Sequence, residues 1–143
     1  MSRPTTAPFG ILVMDDHVPL LDRVRARLTA EGWSVVATSQ TVGAARHLVA
    51  CDLVLLDFHM PGIDGASVLD SLRAAARRSG AAPLFYLYTS DAANEDGARG
   101  LGFDGAITNK GDEETLVAQV RAIERIVRLR KLSTRGPNSQ GRS

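Results

Sequence analysis

Residues 9–17 read Phe-Gly-Ile-Leu-Val-Met-Asp-Asp-His, an apolar run of strand length that breaks off in two carboxylates. The run is apolar at successive positions rather than alternating ones. Successive side chains of a strand point to opposite faces, so such a run marks a strand buried on both. Four more runs follow at intervals: Ser34–Thr38 (SVVAT), Leu53–Leu56 (LVLL), Leu84–Tyr88 (LFYLY) and Gly105–Thr108 (GAIT). Helical patterns separate them. Leu21, Val24 and Leu28 share one face, as do Leu69, Leu72 and Ala76. Glu31-Gly32 and Ser79-Gly80 supply helix ends, glycine suiting the left-handed turn there. Parallel neighbours need crossovers, so five strand–helix units predict an α/β fold: a doubly wound five-stranded parallel sheet with helices on both faces.

The chain has 143 residues, one domain's worth, with 44% hydrophobic and 23% charged residues, which excludes wholesale disorder and collagen. Cys51 is the one cysteine, so no internal disulfide forms and a reducing compartment is expected. No apolar run approaches bilayer length and residues 1–8 carry no signal-peptide stretch, so the expectation is a soluble, cytoplasmic protein. Residues 1–8 (MSRPTTAP) read as a flexible arm and 9–132 as the folded domain. Residues 133–143 (STRGPNSQGRS), without a large apolar residue, read as a disordered basic tail. Charge is uneven. Residues 1–120 hold 10 Lys/Arg against 15 Asp/Glu, a net −5, and residues 121–143 hold 7 against 1, a net +6.

In doubly wound sheets the chemistry lies beyond the carboxyl ends of the strands. There the sequence has Asp15-Asp16-His17 after the first run, Asp57 after the third, Thr89-Ser90 after the fourth and Lys110 after the fifth. Three carboxylates brought together repel one another, and a divalent cation relieves the repulsion; Mg²⁺ suits hard oxygen ligands. A lysine pairs with carboxylate or phosphate as a point charge. The set fits phosphoryl chemistry, where positioning and charge neutralisation dominate. Two acids in the first strand–helix turn would repel a directly bound phosphate, which argues against a dinucleotide site.

Asp15-Asp16, Leu55-Leu56-Asp57-Phe58-His59-Met60-Pro61-Gly62-Ile63-Asp64-Gly65, Tyr88-Thr89-Ser90 and Gly102 to Lys110 together resemble the receiver (CheY-like) domain of two-component response regulators over residues 9–131. The resemblance implies the flavodoxin-like strand order 2-1-3-4-5. It implies Asp57 as phosphoacceptor from a phosphohistidine, and Mg²⁺ held by Asp15, Asp16, Asp57 and the His59 backbone carbonyl. Thr89 would bond the phosphoryl oxygen and Lys110 would ion-pair with it. The implied partners are a sensor histidine kinase or phosphotransfer protein, and a downstream target met through the fourth helix, fifth strand and fifth helix. The implied protein is a signalling switch rather than an enzyme. Two positions depart from the family. Gly111 stands where Pro usually follows the Lys, which predicts a looser loop. Ile107 stands where an aromatic usually switches; Tyr86 and Tyr88 lie on the preceding strand but not at that position.

Plainer readings stand beside these. Asp15-Asp16 suit a helix N-terminus. His17, His47 and His59 lack metal-ligand spacing with one another; His47 reads as solvated, while His59 adjoins the phosphorylation site. Cys51 reads as a small buried residue and Trp33 as core or rim. Ala92–Gly100, with two glycines, is a poor fourth helix. Asp112–Leu132 reads as one long last helix with its core stripe at Leu116, Val120, Ile123 and Val127. Ile126, Leu129 and Leu132 are left over beside Arg121, Arg125, Arg128, Arg130 and Lys131. A homodimer or partner contact is the preferred use of that end, ahead of a solvated extension, with nucleic acid ranked last. The alternative functions are a phosphorylation-independent docking module, which Gly111 and Ile107 favour, and a Mg²⁺-dependent aspartyl phosphatase, opposed by His59 where a second Asp is expected.

Overall fold

A computed structural model of the chain describes residues 8–57, 64–90 and 95–141. Strands β1 (Gly10–Met14), β2 (Ser34–Thr38), β3 (Leu53–Leu56), β4 (Leu84–Tyr88) and β5 (Gly105–Ile107) form one sheet in the order β2-β1-β3-β4-β5. Every pairing is parallel; Ile11 lies opposite both Val35 and Leu53, and Tyr88 lies opposite Ile107. Helices α1 (Val18–Ala30), α2 (Gly65–Arg78) and α3 (Glu95–Gly100) supply the crossovers, with a 3₁₀ helix over Ala44–Ala50 between β2 and β3, and α4 (Glu113–Gly141) follows β5.

The period of two along each strand divides the apolar runs between two cores. Ile11, Val13, Leu53, Leu55, Tyr88 and Ile107 face α1 and α4, meeting Leu21, Val24, Leu28, Leu116, Val120 and Ile123. Leu12, Met14, Val54, Leu56, Phe85 and Leu87 face the other way, onto Leu48, Leu69, Leu72 and Phe103. All of these are buried. Helix α1 ends at Glu31 with Gly32 at φ +96°, and α2 at Ser79 with Gly80 at φ +75°, the left-handed turns expected there.

Four features differ from the sequence expectation. The segment carrying His47 is a 3₁₀ helix entered through Gly43 at φ +81° with no side-chain cap, and His47 is half-buried on it. The elements counted as fourth and fifth helices are therefore α3 and α4. Helix α1 is capped at His17 without a side-chain bond, so Asp15-Asp16 are not its cap. Helix α4 runs on to Gly141, through residues 133–141 that the sequence predicts to be disordered. Propagating an established helix costs far less than nucleating one, although Gly136-Pro137 opposes it. Residues 1–7, 58–63, 91–94 and 142–143 lie outside the described residues. Among the described residues no helix is long and apolar enough to cross a membrane.

Candidate functional site

Strand order reverses at β1 and β3, with the chain leaving β1 toward one face and β2 toward the other. That switch point opens a crevice at the carboxyl ends of the strands. Asp15 follows β1 and Asp57 follows β3, and their neighbours lock both in place. The Asp57 N–H donates to Met14 O at 2.9 Å, and the Asp15 N–H to Thr38 O at 3.2 Å. The His17 N–H donates to Asp15 Oδ1 at 2.9 Å, which fixes the carboxylate plane. Asp15 and Asp57 are buried while Asp16 is exposed. One oxygen from each of the three lies within 4.8 Å of the others.

The fourth corner is Lys110. Its ammonium pairs with Asp15 Oδ2 and sits 3.4 Å from Asp57 Oδ2. Asp15 Oδ2 is buried and accepts no hydrogen bond with proper geometry, so its neighbour is that ammonium. A buried acceptor with an unused lone pair, beside two more carboxylates, is the donor set a hard divalent cation needs, and the residues present fit Mg²⁺. His59, whose carbonyl is the fourth expected ligand, lies outside the described residues.

Thr89, buried at the end of β4, completes the rim. Its N–H donates to Ile107 O at 3.0 Å and its carbonyl accepts the Lys110 N–H at 3.2 Å, so the ends of β4 and β5 and the lysine loop form one unit. Lys110 stands between two left-handed residues, Asn109 at φ +57° and Gly111 at φ +101°. Asn is among the few side chains that tolerate this region, and Pro, fixed near −65°, cannot enter it. The loop is thus built for glycine where the family usually has proline.

One residue was not singled out from sequence. Tyr88 is buried, its hydroxyl accepts the Gly111 N–H at 3.3 Å, and its ring centroid lies 5.6 Å from the Lys110 ammonium. Burial raises its phenol above the ordinary value near 10, partly offset by the Gly111 N–H, with Asp15 pushing the same way as burial. Its place directly before Thr89 was the available signal. Ile107 at that position is buried in the core against α4.

Comparison with known proteins agrees with this geometry. The model of the response regulator receiver domain matches residues 11–121. The nitrate/nitrite response regulator protein NarP of Escherichia coli is 34% identical over 125 residues, covering 83% of this chain and 56% of that protein. The probable transcriptional regulatory protein TcrX of Mycobacterium tuberculosis is 33% identical over 130 residues, covering 87% and 53%. The chain thus spans about half the length of these curated relatives. The chemotaxis protein CheY4 of Vibrio cholerae shares the fold at a TM-score of 0.69 and 18% identity, covering 82% of this chain and 99% of that one. So does the signal receiver domain of a LuxO repressor protein from Vibrio parahaemolyticus, at 0.71 and 14%, covering 89% and 97%. Sheet order, site geometry and sequence matches agree: the chain belongs to the receiver domains of two-component response regulators.

Proposed function

We propose that this receiver is a phosphoacceptor switch working through Asp57. The observation that carries the reading is the meeting of Asp15, Asp16, Asp57 and Lys110 in one crevice at the strand ends. An Asp57 oxygen attacks the phosphorus of a phosphohistidine, the P–O bond forms as the P–N bond breaks, and the imidazole nitrogen leaves with the electron pair. Mg²⁺ held by Asp15, Asp16 and Asp57 would supply charge neutralisation to the transferring group. Lys110, already beside Asp57, ion-pairs with the phosphoryl oxygens, and the Thr89 hydroxyl donates to one of them. The new charge draws Thr89 and Lys110 inward and biases the surface formed by α3, β5 and α4 between two states.

The donor would be a sensor histidine kinase or phosphotransfer protein, as the likeness to response regulators supports, and the setting cytoplasmic. A downstream target would read the switched surface. Ile126, Leu129 and Leu132, exposed on distal α4, are apolar positions available to a target or a second copy.

Intact mass after incubation with Mg²⁺ and phosphoramidate tests the reading. Gain of one phosphoryl group, dependent on Mg²⁺ and lost in Asp57→Asn, supports it. No gain from small donors or a kinase panel overturns it and leaves a constitutive docking module.

A further inference from the structure

We propose that Tyr88 is the positioning residue for Lys110, holding the lysine loop by its hydroxyl so that the ammonium faces Asp57. The proposal rests on the phosphoacceptor reading. Lys110 lies in a loop with a left-handed residue on each side, and a Cβ built on Gly111 would meet nothing within 4 Å. Beside the Lys110–Asp15 ion pair, hydrogen bonds to its backbone hold this turn, the Asp112 N–H donating to Asn109 O at 2.9 Å within it. Two come from adjacent residues of one strand end. The Thr89 carbonyl takes the Lys110 N–H at 3.2 Å, and the Tyr88 hydroxyl takes the Gly111 N–H at 3.3 Å.

The second tie exists because two residue choices match. Proline at 111 would have no N–H to give, and an aliphatic residue at 88 would have no oxygen to receive it. Tyr88 is fixed at its other end by the core shared with Ile107, Leu116 and Val120, so its hydroxyl is a stationary post. Its ring also lies 5.6 Å from the Lys110 ammonium, within range of a cation–π contact that holds the side chain as the hydroxyl holds the backbone. Rigidity that the family usually obtains from a proline is supplied here across the strand end. Because the post is the residue before Thr89, any inward movement of Thr89 is transmitted to both sides of Lys110.

The test removes one oxygen atom. Tyr88→Phe keeps the ring and deletes the acceptor; Tyr86→Phe, on the same strand but outside the tie, is the control. Two quantities are read well below the unfolding midpoint: exchange of the Gly111 amide hydrogen by NMR, and the initial rate of Asp57 phosphorylation by phosphoramidate with Mg²⁺. The expected result is faster Gly111 exchange in Tyr88→Phe and a rate lower by about three- to tenfold, the factor one hydrogen bond is worth, with neither change in Tyr86→Phe. A role confined to stability would lower the midpoint and leave the rate alone. Unchanged Gly111 exchange overturns the proposal, as does faster exchange with an unchanged rate. If Tyr88→Phe does not fold, 3-fluorotyrosine in the Tyr86→Phe background weakens the same acceptor without altering the core, and the same two readings decide. Failure of the wild type to take phosphate overturns the phosphoacceptor reading and this proposal with it. That outcome is distinct from a wild type that is phosphorylated while Tyr88→Phe matches it.

Discussion

The indole Nε1–H of Trp33 donates to Glu124 Oε1 at 3.1 Å, joining the entrance to β2 to the middle of α4. Trp33 is buried, and the Arg121 guanidinium lies 5.1 Å from its ring centroid, so the end of the fold opposite the acidic crevice is closed by an aromatic, a carboxylate and an arginine. Glu124→Ala should cost about 1 kcal/mol through the lost bond. Glu124→Gln, which keeps an acceptor oxygen, should cost less. Trp33 is the one tryptophan, so urea titration followed by its emission reports this contact directly.

The same clamp predicts a pH dependence. Glu31 accepts from Arg27 and Arg121. The Arg27 hydrogen bond holds its carboxyl below the ordinary value of 4.5, against an opposing push from burial and with the Arg121 charge assisting. A carboxyl depressed in the folded state contributes stability above its unfolded value and loses it as pH falls through the folded value. The stability gap between wild type and Glu31→Gln should therefore hold from neutrality to about pH 5 and shrink below the ordinary carboxylate range. Urea midpoints across that range measure it.

Gly111→Pro, which restores the residue usual in the family, should destabilise this receiver. Proline cannot reach φ +101° and has no N–H for Tyr88, together a loss of about 2–4 kcal/mol. Thermal denaturation of the variant checks it; a neutral result would mean that the loop can adopt a second conformation.

Ile107→Tyr, the other return to the family pattern, should also fail to help. Ile107 is buried in the core that α4 closes, opposite Tyr88 in the sheet, and an aromatic there overpacks the site. A cost of about 1–3 kcal/mol is expected from calorimetry.

Asp16→Asn should weaken Mg²⁺ binding by about tenfold or more while leaving stability nearly unchanged, because Asp16 is exposed and carries one of three clustered carboxylates. Asp15→Asn should weaken Mg²⁺ and also strip Lys110 of a buried partner. Calorimetric Mg²⁺ titration separates the two.

The strands and the meeting of the three carboxylates with Lys110 were legible because both rest on local rules. Buried parallel strands must be apolar at successive positions, and functional groups of such sheets fall just beyond each run: Asp15, Asp57 and Thr89 one residue after theirs and Lys110 two residues after Thr108. The core stripe of α4 and the exposure of Ile126, Leu129 and Leu132 followed from helical period alone. The 3₁₀ helix at Ala44–Ala50 was not legible, since a short segment takes its form from its entry turn and the sheet beneath it. Nor was the continuation of α4, where composition speaks for a tail and the established helix speaks against it.

Sequence alone determined that a three-carboxylate, one-ammonium site would form on a parallel sheet, because strand pattern and crossover rules admit few other arrangements. Tertiary structure decided what pattern cannot carry. Gly10 is required where Ala50 O would lie 2.1 Å from a Cβ, and Gly105 where the Tyr86 ring crosses at 2.7 Å. Tyr88 meets Gly111 across 23 positions of chain. These contacts depend on distances between elements far apart in sequence, and such distances are set only when both cores close around the sheet.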